Sequence, residues 1–88
     1  MPEIEIAESF KKCYRILPED IKKKVQKALR LLADNPRHPS LRSKPIAGAP
    51  GIFEARVDYQ YRLTYERLPV DKLRLRVVGN HDETLKNP

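Results

Sequence analysis

The stretch Gly51-Ile52-Phe53-Glu54-Ala55-Arg56-Val57-Asp58-Tyr59-Gln60-Tyr61-Arg62-Leu63-Thr64-Tyr65 decides how this chain is read. Phe53, Ala55 and Val57 alternate with Glu54 and Arg56; after a break, Tyr61, Leu63 and Tyr65 alternate with Arg62 and Thr64. A period of two marks strands with one buried face. The break, Asp58-Tyr59-Gln60, is short and polar, so the two runs are expected to form an antiparallel hairpin. Beyond Pro69-Val70-Asp71-Lys72, Leu73, Leu75 and Val77 alternate with Arg74 and Arg76, which adds a second hairpin. One face of the resulting sheet is apolar and needs helices to cover it. The other is expected to display Glu54, Arg56, Arg62, Thr64, Arg74 and Arg76.

Upstream lie the elements that supply the cover. Ile4 and Ile6 alternate with Glu3 and Glu5 as a short strand. Phe10, Tyr14 and Leu17 then share one face of a helix, with Cys13 beside them and Lys11, Lys12 and Arg15 pointing elsewhere. Pro18 suits the first turn of a second helix, and Glu19 and Asp20 suit its positive end. Ile21, Val25, Ala28, Leu29 and Leu32 recur at helical spacing, with Lys22, Lys23, Lys27 and Arg30 opposite. Asn35-Pro36 ends the pattern, because the residue before proline avoids helical geometry. From Pro36 to Gly51 the chain reads as neither helix nor much of a strand. A connection that long is usually functional or mobile, and this one carries Arg37, His38, Arg42 and Lys44. The expected fold is α+β, a single domain over residues 1–88 in the order β-α-α-β-β-β. A short N-terminal strand and a helical hairpin pack on one face of a small antiparallel sheet.

Composition narrows the function. The 88 residues suffice for one small domain, and 40% of them are hydrophobic, enough for a thin core. Eighteen Lys and Arg against twelve Asp and Glu give a formal charge of +6, which points to nucleic acid or an acidic partner. Cys13 is the only cysteine, so no internal disulfide forms and a cytoplasmic location is expected. No apolar run approaches the roughly 20 residues of a membrane span. The beginning Met1-Pro2-Glu3-Ile4-Glu5-Ile6 is acidic where a signal peptide is basic. One cysteine and two distant histidines argue against a metal site, and no cofactor is expected.

The chemistry-bearing candidates gather near the end of the last strand. Gly79-Asn80 delivers His81, Asp82 and Glu83 beside the arginine-bearing face. Histidine takes and gives protons near neutrality, and arginine suits phosphate, so the combination suggests phosphodiester chemistry. The blander readings are a histidine that bonds a carbonyl and a strand face that only keeps the protein soluble. Glu54 is a general-base candidate ranked below His81, or else a partner for Arg56 or Arg62. The second helix's lysines read as a solvated face that can touch phosphates. Tyr59 either stacks on a base or fills its turn, and Cys13 reads as core.

Together, the helical hairpin, the loop Asn35-Pro36-Arg37-His38-Pro39-Ser40-Leu41-Arg42, the quoted stretch with its Tyr-Arg-Leu-x-Tyr core, and Val77-Val78-Gly79-Asn80-His81-Asp82 resemble the RelE/ParE toxin superfamily, on its histidine-bearing branch. The resemblance covers nearly the whole chain. It implies the toxin of a type II toxin–antitoxin pair, a ribosome-dependent endoribonuclease that cleaves messenger RNA without a metal, by attack of the RNA's own 2′-hydroxyl. In that frame Arg62 and Arg56 match phosphate-binding positions and His81 the general acid or base. Arg42, Lys44, Arg74 and Arg76 are RNA-binding candidates. The implied partners are a cognate antitoxin, the ribosome and messenger RNA, with DNA reached only through the antitoxin complex. Some relatives stack an aromatic ring near the C-terminus, where this chain has Leu85. The alternatives are a ParE-like gyrase inhibitor and an inactive member that binds only its antitoxin.

Overall fold

In the computed structural model, residues 2–86 and residue 88 are described, with backbone alone at Glu83 and Leu85. Strand β1 spans Glu3–Ile6, helix α1 Glu8–Arg15 and helix α2 Glu19–Asp34. A short 3-10 turn at Pro39–Leu41 precedes β2 (Lys44–Pro45), β3 (Ile52–Arg56), β4 (Tyr61–Leu68), β5 (Lys72–Asn80) and α3 (His81–Lys86). The five strands form one sheet in the order β1-β5-β4-β3-β2. This is the α+β arrangement expected, with two additions, β2 and α3, and a mixed sheet in place of a purely antiparallel one.

The parallel pairing comes from β1. Glu3, Ile4, Glu5 and Ile6 lie opposite Lys72, Leu73, Arg74 and Leu75 of β5. Acid thus meets base and aliphatic meets aliphatic at every step, so a one-residue slip would break both patterns at once. Glu5 Oε1 is 2.9 Å from Arg74 Nε, and its Oε2 is 3.2 Å from Lys72 Nζ. Hydrogen bonding to Arg74, and then to Lys72, holds the Glu5 carboxyl below its ordinary pKa. A parallel neighbour needs a crossover, and the helical pair with the hairpins provides it.

The core lies between the helices and one sheet face. Phe10 of α1 and Ile21, Val25, Ala28 and Leu32 of α2 meet Ala55, Leu63, Tyr65, Leu73, Leu75 and Val78. Pro18 stands just before α2, and Asn35 ends it. Leu17 falls in the turn after α1 but still packs against the core. The long connection is less irregular than its composition implies. Leu41 in the 3-10 turn is fully buried and belongs to the core, which pins the segment down.

Strand β5 departs from the expected alternation. Thr64 pairs with Val77 while Tyr65 pairs with Leu75, so Arg76 is the extra residue of a β-bulge. A bulge resets the side-chain period. Val78, not Val77, therefore joins Leu73 and Leu75 in the core.

The opposite sheet face is not the open platform expected. Glu54 is only 4% exposed and Thr64 is fully buried. The C-terminal segment turns back across this face. The Pro88 carbonyl accepts from Thr64 Oγ1 at 3.2 Å and from Arg76 Nε at 2.9 Å.

Candidate active site

Strand pairing brings chain-distant residues together. Lys44 of β2 lies opposite Glu54 of β3, which lies opposite Thr64 of β4. Gly79 of β5 lies opposite Arg62 of β4, and two residues later the chain turns into α3 at His81. Asn80 caps that start, its Oδ1 accepting from the Asp82 amide at 3.1 Å. The His81 amide donates to the Gln60 carbonyl at 2.8 Å, which ties α3 to the β3–β4 turn. The imidazole is 41% exposed, with Nδ1 3.7 Å from Asp82 Oδ1.

A cleft of about 400 Å³ is lined by Lys44, Pro45, Ile46, Ala47, Glu54 and His81. Glu54 is buried beneath Lys44, whose Nζ stands 3.4 Å from Glu54 Oε1. The other carboxylate oxygen, Oε2, is buried and has no hydrogen-bond partner among the described residues. Buried polar atoms are nearly always satisfied, and an exception asks for a reason. Here a carboxylate and an imidazole share a cleft with an ammonium group. Such a trio can take a proton at one place, give one at another and hold negative charge between.

The remaining candidates are distributed differently. Arg56 lines a neighbouring cleft of about 240 Å³ with Lys24, Lys27, Ala28, Leu31, Ser40, Val57 and Asp58. Arg62 Nη1 donates to the carbonyl of Asp58 and, at 3.0 Å, to that of Tyr61, so part of its fork holds the turn. Arg74 is bound to Glu5 and lies 3.7 Å from Glu66, while Arg76 lies 3.3 Å from the same Glu66. Both are thus engaged with carboxylates on the sheet face and neither lines the His81 cleft. Arg42 is exposed at the left-handed residue that ends the 3-10 turn, two residues before Lys44.

The sequence leaves Glu54 as a general-base candidate or a partner for Arg56 or Arg62; the structure gives it Lys44 as its ion-pair partner. Two supporting residues went unnoticed. Asp58 accepts from the amides of Gln60 and Tyr61 at 2.9 and 2.8 Å through one oxygen, and its other oxygen is 3.2 Å from Lys24. An aspartate opening a short turn between two alternating runs is a readable signal for this motif. Asn80 as a cap was also readable, once a helix at His81 is allowed.

The comparisons with solved structures define the fold: this chain has the fold of the RelE-type toxins. Among solved structures it superposes on YafQ from E. coli strain BL21(DE3) with a TM-score of 0.77 at 22% identity, covering 96% of this chain and 98% of that one. A chain of the archaeal RelE–RelB complex from Pyrococcus horikoshii OT3 matches at 0.72 and 16%, over 90% of this chain and 93% of the other. A chain of the E. coli RelBE toxin–antitoxin complex matches at 0.72 and 20%, over 91% and 96%. The sequence matches no family model and no curated protein. The likeness is one of fold. Among the described residues no helix is long and apolar enough to cross a membrane.

Proposed function

We propose that this protein is the toxin of a type II toxin–antitoxin pair and cleaves messenger RNA on the ribosome, without a metal ion. The observation that carries the reading is the unpartnered Oε2 of buried Glu54, in a cleft shared with His81 and Lys44. The fold supports it, since structures sharing it include toxin–antitoxin complexes of E. coli. A small antitoxin is the proposed partner, and its acidic segments would suit the +6 charge.

The reaction needs two proton transfers. Once the phosphate draws Lys44 off the buried Glu54 carboxylate and uncovers it, Glu54 takes the proton of the RNA 2′-hydroxyl as that oxygen attacks the adjacent phosphorus. His81, protonated, gives a proton to the departing 5′-oxygen, so the products are a 2′,3′-cyclic phosphate and a free 5′-hydroxyl. Lys44 faces the charge that builds on the non-bridging oxygens, and Arg56 and Arg62 hold the flanking phosphates. Their rigid placement on paired strands supplies the alignment that the in-line attack requires.

The test maps messenger cleavage on translating ribosomes for the wild type and for Glu54→Gln, His81→Ala and Arg62→Ala. Loss of either proton-transfer group is expected to slow cleavage by about 10²–10⁴-fold. The Gln variant keeps the shape of Glu54 while removing its basicity. Intact messenger with arrested gyrase and damaged DNA would replace the reading with the gyrase-inhibitor alternative. Neither cleavage nor toxicity would leave a protein that serves only its antitoxin.

A further inference from the structure

The β3–β4 turn is braced far more than a surface hairpin loop requires. Asp58 binds two amides within the turn and Lys24 on α2. Arg62 clasps the carbonyls of Asp58 and Tyr61 from inside the sheet. The Gln60 carbonyl holds the amide of His81. The turn is thereby fixed to α2 on one side and to the first residue of α3 on the other. At its tip stands Tyr59, 70% exposed, a ring that the core does not use.

Beside this turn lies the cleft of about 240 Å³ whose rim carries Lys24, Lys27, Ser40 and Arg56. Lys24 is engaged with Asp58. Lys27 and Arg56 form no ion pair among the described residues. Val57 and Asp58 of the turn line this cleft, so the exposed ring stands one residue along the chain from it. An aromatic ring and cations on one surface are what single-stranded nucleic acid uses, base on ring and phosphate among the cations. Holding the ring rigid lowers the ordering cost when a base stacks on it.

We propose that Tyr59, with Lys27 and Arg56, forms a second nucleotide subsite that holds a nucleotide flanking the scissile phosphate. This rests on the ribonuclease reading and deepens it. The base stacks on Tyr59, its phosphate sits in the Lys27–Arg56 cleft, and the Gln60–His81 hydrogen bond fixes that nucleotide relative to the proton donor. The chain thus has an aromatic platform on its central hairpin, at a position separate from the C-terminal segment.

The test is single-turnover cleavage on ribosomes programmed with a defined messenger, varying toxin concentration so that half-saturation and maximal rate are read separately. Tyr59→Ala and Tyr59→Leu are expected to raise the half-saturating concentration about tenfold, with the maximal rate little changed. Tyr59→Phe keeps the ring and should behave as the wild type. Lys27→Ala should weaken binding and flatten its salt dependence. Thermal unfolding should be unchanged in all Tyr59 variants, since the side chain is exposed. Tyr59→Ala matching the wild type would overturn the subsite while leaving the ribonuclease reading standing. So would a Tyr59→Phe defect equal to that of Tyr59→Ala, which would assign the role to the hydroxyl. Normal cleavage with weakened antitoxin capture would make the surface a protein contact and overturn the proposal too. A wild type that cleaves nothing removes the ribonuclease reading itself, before any Tyr59 variant is compared.

Discussion

Asp58 carries more of the turn than any other side chain, and its ionisation should be visible in the protein's stability. Burial opposes its charge, but hydrogen bonds from the Gln60 and Tyr61 amides, followed by Lys24, outweigh that effect and hold its pKa below the ordinary 3.8. The folded-state pKa is the lower one. The ionised group therefore stabilises the fold above the unfolded-state pKa, and that contribution is lost as pH falls through the folded value. Urea unfolding should find Asp58→Asn less stable than the wild type by about 1 kcal/mol at neutral pH. The gap should begin to close as pH falls below about 4 and vanish once pH is below the lowered folded-state value, whereas a pH-independent gap would show that the charge contributes nothing. The Asp58 turn was legible in three adjacent residues, while its partner Lys24 was not, being 34 positions away. Glu54 makes the same point in the opposite direction. Alternation put it on the far face of β3, but its burial depends on Lys44 crossing from β2.

Among the elements, the connection between α2 and β3 was the hardest to read. Four prolines and several basic residues concealed a single anchor, Leu41, which enters the core through one 3-10 turn. Leu41→Ala should cost about 2–5 kcal/mol in urea unfolding, as for other buried leucines. Because Lys44 follows three residues later, the same change should also loosen its hold on Glu54. A variant within about 0.5 kcal/mol of the wild type would mean that the segment is not anchored there. The bulge in β5 was equally hidden. Alternation from Leu73 to Val77 continues without a break in sequence, and only pairing with β4 shows Arg76 to be the extra residue. The helix beginning at His81 escaped because it is six residues long, too short to show a period.

Over the whole molecule, the positive charge is unevenly spent. Glu5 and Glu66 offset two of the three positive charges of Lys72, Arg74 and Arg76 on the β5 side. Lys27, Arg42 and Arg56 form no ion pair among the described residues, so their charge stays available to phosphate. On the proposed reading, about three phosphates bind there. A slope of roughly 0.7 per phosphate then predicts ribosome or RNA affinity falling about 20-fold between 50 and 200 mM salt. Salt-independent binding would remove phosphate recognition from the account. Charge reversal at Glu66, by contrast, should disturb the β5 arginines without changing that slope.

Patterns with short range were determined by the sequence alone: the amphipathic helices, the two hairpins, the turn at Asp58, the basic excess and the histidine after Gly79. Each depends on residues close enough along the chain for propensity and periodicity to act. Tertiary structure decided the parallel pairing of β1, the bulge, the closing of the C-terminal segment over the sheet, and the meeting of Glu54, Lys44 and His81 in one cleft. These depend on pairing free energies between segments tens of residues apart. Complementary charge, as in Glu-Ile-Glu-Ile against Lys-Leu-Arg-Leu, permits such a pairing, but only packing of the complete core selects it.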